Sequence, residues 1–225
     1  MKKKFILMPL IGALAYVILS SYAAGPGSVL GTDLTGASGT PGCGGSGTGC
    51  HNATATASTT IGIQLYNGAT LVTGGYVGGT AYTIRITGTQ TSASASISLP
   101  RFGFQVSVVK TGATSTNEGT LSAITGTHLG TYGRINIVEH SAAIVATTGT
   151  GASGTTYVVN IPWTAPVAGT GSVTIYTALN AVNFNGVADA GDLWNNTSQA
   201  IPEAAASGVS PITGTLAICT ELQHL

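Results

Sequence analysis

Ala81-Tyr82-Thr83-Ile84-Arg85-Ile86-Thr87 and Arg101-Phe102-Gly103-Phe104-Gln105-Val106-Ser107-Val108 decide the fold. In the first stretch Tyr82, Ile84 and Ile86 alternate with Thr83, Arg85 and Thr87. In the second, Phe102, Phe104, Val106 and Val108 alternate with Gly103, Gln105 and Ser107. A period of two sends successive side chains to opposite faces of an extended strand. Each stretch therefore predicts a strand with one face turned inward and the other toward water. The spacing recurs at Ile135 and Ile137, at Tyr157, Val159 and Ile161, and at Val173 and Ile175. Turn clusters separate the runs, among them Gly74-Gly75, Gly78-Gly79, Gly149-Thr150-Gly151 and Gly169-Thr170-Gly171. Helical periodicity is almost absent. Short strands at this spacing predict an all-β fold, a single antiparallel β-sandwich of immunoglobulin-like type over residues 59–200.

The flanks read differently. Residues 24–58 are rich in Gly, Ser and Thr with little apolar periodicity, and are expected to be irregular. Residues 201–225 are expected to be a C-terminal strand or tail, with a closing strand from Ile212 to Ile218. Residues 1–23 have the build of a secretory signal peptide. Lys2, Lys3 and Lys4 precede an apolar run from Phe5 to Leu19, and Ser21-Tyr22-Ala23 supplies small residues for cleavage after Ala23. The run is short for a membrane span, and no other span is expected once it is removed. The protein is thus expected outside the cytoplasm, secreted or at the cell surface.

Cleavage removes three of the four lysines. Arg85, Arg101, Lys110 and Arg134 remain against Asp33, Glu118, Glu139, Asp189, Asp192, Glu203 and Glu221, a net charge of −3. Without a basic patch, nucleic acid is excluded as a partner. Charged residues make up only 6% of the chain while 43% is hydrophobic, so the polar surface must come from Thr, Ser, Asn and Gly. Neutral β surfaces lack the repulsion that keeps monomers apart, so the expected partners are copies of the chain itself or cell-surface components.

Five phrases carry a resemblance. They are Gly75-Tyr76-Val77-Gly78-Gly79-Thr80-Ala81-Tyr82-Thr83-Ile84, Arg101-Phe102-Gly103-Phe104-Gln105, Val138-Glu139-His140-Ser141, Ile161-Pro162-Trp163-Thr164-Ala165-Pro166, and Tyr176-Thr177-Ala178-Leu179-Asn180-Ala181 running on to Asn183, Asn185-Gly186 and Gly191-Asp192. In this order they resemble the bacterial choice-of-anchor V domain, a branch of the reeler-like extracellular family. The resemblance covers roughly Pro41 to Trp194. It implies a reeler-like β-sandwich on secreted or surface proteins, whose members often end in varied sorting or anchoring tails. After Pro211 this chain shows no apolar span with basic stop residues.

The sharpest local chemistry is Cys43-Gly-Gly-Ser-Gly-Thr-Gly-Cys50-His51. In related domains this region often looks like Cys-x-x-Cys-His, the attachment sequence of haem c. The resemblance therefore implies thioethers from Cys43 and Cys50, His51 as iron ligand, and His140 or else His128 as the distal ligand. Here six residues separate the cysteines instead of two. The residues alone favour a Cys43–Cys50 disulfide, which export permits and a flexible loop can close, worth about 2–3 kcal/mol. Zinc on Cys43, Cys50, His51 and His140 is a third reading, with a spacing that fits no common zinc module. Asn180, Asn183, Asn185, Asp189 and Asp192 form an oxygen-rich stretch, and calcium on Asn183, Asn185, Asp189 and Asp192 is the corresponding alternative. No Gly-x-Ser-x-Gly elbow appears, and Glu139 and His140 are strand neighbours pointing to opposite sides. The expectation is a structural or adhesive protein without catalytic residues and without a cofactor. Haem c in electron transfer, and calcium, stand as alternatives.

Overall fold

The computed structural model describes residues 24–40, 42–44, 51, 54–91, 98–149, 155–186 and 188–205. The leader, Cys50, the strand expected at Ile212 to Ile218 and Cys219 lie outside the described residues. Among the described residues one helix, α1 (Pro26–Leu30), precedes twelve strands. They are β1 (Thr59–Asn67), β2 (Thr70–Leu71), β3 (Ala81–Gln90), β4 (Arg101–Lys110), β5 (Ala113–Asn117), β6 (Thr120–Leu121), β7 (Thr127–Tyr132), β8 (Ile135–His140), β9 (Ile144–Val145), β10 (Thr156–Thr164), β11 (Val173–Val182) and β12 (Leu193–Ile201).

The strands form two sheets. One runs β2-β1-β3-β10-β6, the other β12-β11-β4-β8-β7, with β5 and β9 added to β4. Every strand pairing is antiparallel. The fold is the antiparallel β-sandwich that the alternation predicts. Tyr82, Ile84 and Ile86 of β3 and Tyr157, Val159, Ile161 and Trp163 of β10 meet Phe102, Phe104, Val106 and Val108 of β4 and Val173, Ile175 and Leu179 of β11 between the sheets. Trp163 packs edge-on against Tyr76 at 5.6 Å and donates its indole N–H to Glu118 O at 3.0 Å, so its one polar group is satisfied. β10 continues past Pro162 to Thr164, near the sheet margin where only the two-residue β6 lies beyond.

The second face of the larger sheet departs from the simple alternation. β4 is buried from Phe102 to Val109 without a break. Residues 25–40 and 42–44 lie over its outer face as a third layer. Ala37 packs with Val109, Ile135 and Ile137, while Leu34 and Cys43 pack with Ala178 and Trp194. Ile135 and Ile137 do share a face, but it is this covered outer one. α1 has Pro26 in its first turn and is closed by Gly31 at φ 66, whose N–H returns to Gly27 O at 2.8 Å.

Candidate functional site

The overlying segment is fastened through polar groups that the sheet offers at outward positions. On β4, Gln105 Oε1 accepts the N–H of Leu34 at 2.8 Å, and Ser107 Oγ lies 3.1 Å from Thr35 Oγ1. Asp33 gives the segment its own shape. Its Oδ1 accepts from the N–H and hydroxyl of Thr35, and its Oδ2 from those of Ser38.

Glu139 of β8 is the centre of this layer and is wholly buried. Its Oε2 accepts from Gly27 N–H at 2.8 Å and Gln105 Nε2 at 2.7 Å. Its Oε1 accepts from Ser28 N–H at 2.8 Å, the Tyr132 hydroxyl at 2.8 Å and His128 Nε2 at 2.9 Å. A buried carboxylate costs little only when its lone pairs are met by donors, and five converge here. Burial, followed by the bond to Glu139, holds the Tyr132 hydroxyl well above the usual phenol range.

A second polar group lies further along the same covered face. His51 Nδ1 is 2.9 Å from Asp192 Oδ2, and His51 Nε2 is 3.0 Å from Asn180 Nδ2. A carboxylate only accepts, so Nδ1 carries the proton and Nε2 accepts from the amide. Asp192 also accepts the N–H of Asn183 at 3.0 Å. Asn180 Oδ1 is buried without a partner. Gly103 pairs with Asn180 across β4 and β11, and the His140 ring lies over it: a Cβ at Gly103 would be 2.5 Å from His140 Cε1. His140 Nδ1 sits 3.1 Å from Phe104 N and 3.2 Å from Phe104 O, so the imidazole stands in for a backbone partner at the end of β8. Burial lowers its pKa.

The structure thus brings His51, Asn180 and Asp192 together, with Gly103 and His140 beside them. These residues as arranged do not fit a haem iron, because both ring nitrogens of His51 are used within the chain. Cys43 is buried against Ala178 and Trp194, and its expected partner Cys50 lies outside the described residues. The four residues expected for calcium are joined to one another by hydrogen bonds. Asp189 accepts from Asn185 Nδ2 at 2.7 Å, Asn183 Nδ2 at 3.3 Å and Gly191 N–H at 2.7 Å, and Asn183 Oδ1 accepts from Asn185 N–H. These hydrogen bonds, that from Asn185 first, lower the Asp189 pKa. They clamp a loop in which Phe184 takes φ 57 and lies under the Arg101 guanidinium at 4.2 Å. Among the described residues no three His, Cys, Asp or Glu side chains gather as a metal-binding group. No described helix is long and apolar enough to cross a membrane.

Sequence reasoning did not reach the pairing of His128 with Glu139. They are opposite residues on β7 and β8, eleven positions apart in the chain. Only the strand register joins them.

No family model matches the chain, and no curated protein matches it. Among solved structures it is similar to the human F-spondin reeler domain. For one fragment the identity is 16%, with 66% of this chain and 91% of that chain covered and a TM-score of 0.39. For a second fragment the identity is again 16%, with 70% and 99% covered and a TM-score of 0.37. It is also similar, at 6% identity, 68% and 93% coverage and a TM-score of 0.41, to AvmM, described as catalysing macrocyclization in alchivemycin A biosynthesis. The chain's own strand pairing is what makes it an antiparallel β-sandwich.

Proposed function

We propose that the chain is a secreted β-sandwich protein of the cell surface, held in place by association with copies of itself or with surface components. The export signal in residues 2–23 supports the location. The observation that carries the association is the edge at β7, whose outer side pairs with no strand among the described residues. This strand ends the seven-stranded sheet, and its sequence Thr-His-Leu-Gly-Thr-Tyr contains no lysine, proline or acidic residue. Ser141 N–H bonds Gly126 O, so the ladder turns His128, Gly130 and Tyr132 toward β8. The backbone groups of Leu129 and Thr131 then point away from the sheet, and Leu129 is 49% exposed. Natural edges are guarded by charge, proline, bulges or a covering segment, and an unguarded edge is a template for another strand.

Sedimentation of the mature protein over a concentration series tests this, with the cell fraction of the native protein assayed alongside. The weight-average mass should rise with concentration, and Leu129→Lys should hold the protein monomeric without changing its melting. A strictly monomeric wild type found only in the culture medium defeats the reading.

A further inference from the structure

Ser141 follows the last residue of β8 and is exposed. Its Oγ lies 3.0 Å from His128 Nδ1, and His128 Nε2 lies 2.9 Å from Glu139 Oε1. The β7–β8 register builds this line. His128 stands opposite Glu139, and the adjoining Gly126–Ser141 bond of 2.8 Å fixes the serine beyond the strand end. Four further donors hold the Glu139 carboxylate rigid, from Gly27, Ser28, Gln105 and Tyr132. As a carboxylate it can only accept, so Nε2 carries the imidazole proton and Nδ1 turns a lone pair to the serine hydroxyl. A hydroxyl, a base within hydrogen-bond reach and a buried carboxylate orienting that base are the parts of an activated nucleophile.

We propose that Ser141 is an acyl-accepting nucleophile toward carboxylic esters, with His128 as its general base and Glu139 positioning His128. Oγ bonds to the ester carbonyl carbon as its proton passes to His128 Nδ1. The bond to the alcohol oxygen then breaks, and the departing alcohol takes that proton. Water repeats the sequence at the acyl carbon. Its proton goes to His128, the acyl–Oγ bond breaks, Ser141 regains a proton and the carboxylic acid leaves. The N–H groups of Ala142 and Ala143 follow the nucleophile directly and bond no acceptor among the described residues, so they are the donors on hand for the developing oxyanion. Ser141 and Ala142 are exposed at a rim and not sunk in a cleft, which suits an ester presented on a large molecule. The assignment does not depend on association of the protein.

The test uses the folded, exported protein and a fluorophosphonate probe, read by intact mass and peptide mapping. One adduct is expected, on Ser141, and absent from Ser141→Ala, which removes only a surface hydroxyl. His128→Gln should slow labelling by about 100-fold or more, the usual worth of a general base. Should that variant melt early, hydrolysis of p-nitrophenyl acetate by wild type against Ser141→Ala decides instead. Glu139, hydrogen-bonded to His128 Nε2, is tested by splitting kcat from KM on p-nitrophenyl acetate. Glu139→Gln should lower kcat with KM unchanged, and Glu139→Asp should recover part of the rate. A wild-type kcat in folded Glu139→Gln removes Glu139 from the assignment. No adduct on Ser141, or labelling at the wild-type rate in a folded His128→Gln, overturns the proposal.

Discussion

The two faces of the seven-stranded sheet are buried by different physics. On the inner face Phe102, Phe104, Val106 and Val108 meet the other sheet through apolar area alone. On the outer face Gln105, Ser107 and Glu139 lie at most 1% exposed, each hydrogen-bonded to residues 27–35. Apolar contact is non-directional and tolerates small shifts. A buried amide or carboxylate is tolerated only with its partners in place. The inner face therefore supplies most of the stability, while the outer face specifies where one particular segment sits.

Neighbours on one strand allow the faces to be weighed directly. Phe104→Ala should cost about 3–5 kcal/mol, the usual range for emptying an aromatic site in a core. Gln105→Ala should cost about 1–3 kcal/mol, because it strands the Leu34 N–H and takes one donor from Glu139. Urea unfolding of both variants measures the difference. Proteolysis should separate them further, with Gln105→Ala opening cleavage within residues 25–44 well below the global transition. Equal costs and equal cleavage would mean that the overlying segment belongs to the same cooperative core.

The contrast also explains what the sequence disclosed. Tyr82, Ile84 and Ile86, or Phe102 through Val108, announce themselves because apolar burial repeats every second residue. β12, with Asn195, Asn196, Thr197, Ser198 and Gln199 along most of its length, carries no such signal, although it pairs with β11 over nine residues. The covering of the outer face was equally hidden. Gln105 and Ser107 are the residues expected on a wet face, and only the fold shows Leu34 and Thr35 above them. Of the candidate site, His51, His140 and Asp192 were singled out by residue type. Their actual partners, Asn180, Gly103 and Phe104, depend on register and chain path that no local pattern encodes.

Gly103 sharpens the comparison at the point where the faces meet. Its missing side chain makes room for the His140 ring, and a Cβ there would sit 2.5 Å from Cε1 and 2.7 Å from Nε2. Gly103→Ala should cost about 1–3 kcal/mol, the usual penalty of overfilling a packed site. If the clash is the cause, Gly103→Ala with His140→Ala should lose less than the sum of the single changes. Additive losses would place the strain in the β4 backbone instead.

The smallest effect is set by acid. Burial lowers the His140 pKa below its ordinary value of 6.5, against an opposing contribution from the Phe104 backbone. A histidine whose pKa is depressed by folding is neutral in both states above its ordinary value and contributes no slope there. Below that value the unfolded chain binds the proton first, so stability falls as the pH falls, until the folded-state pKa is reached. For one group this slope cannot exceed about 1.4 kcal/mol per pH unit. Asp189 and Glu203 also have lowered values, so their contributions are present above the ordinary carboxylate pKa values of 3.8 and 4.5 and are lost only at lower pH. The window between about pH 6.5 and 4.5 is therefore where His140 shows free of those two carboxylates. Urea midpoints for wild type and His140→Gln should diverge in it, with the wild type losing stability faster toward acid. Parallel curves across the window would mean that His140 is protonated as readily in the fold as in the open chain. The outer layer would then admit water at the end of β8.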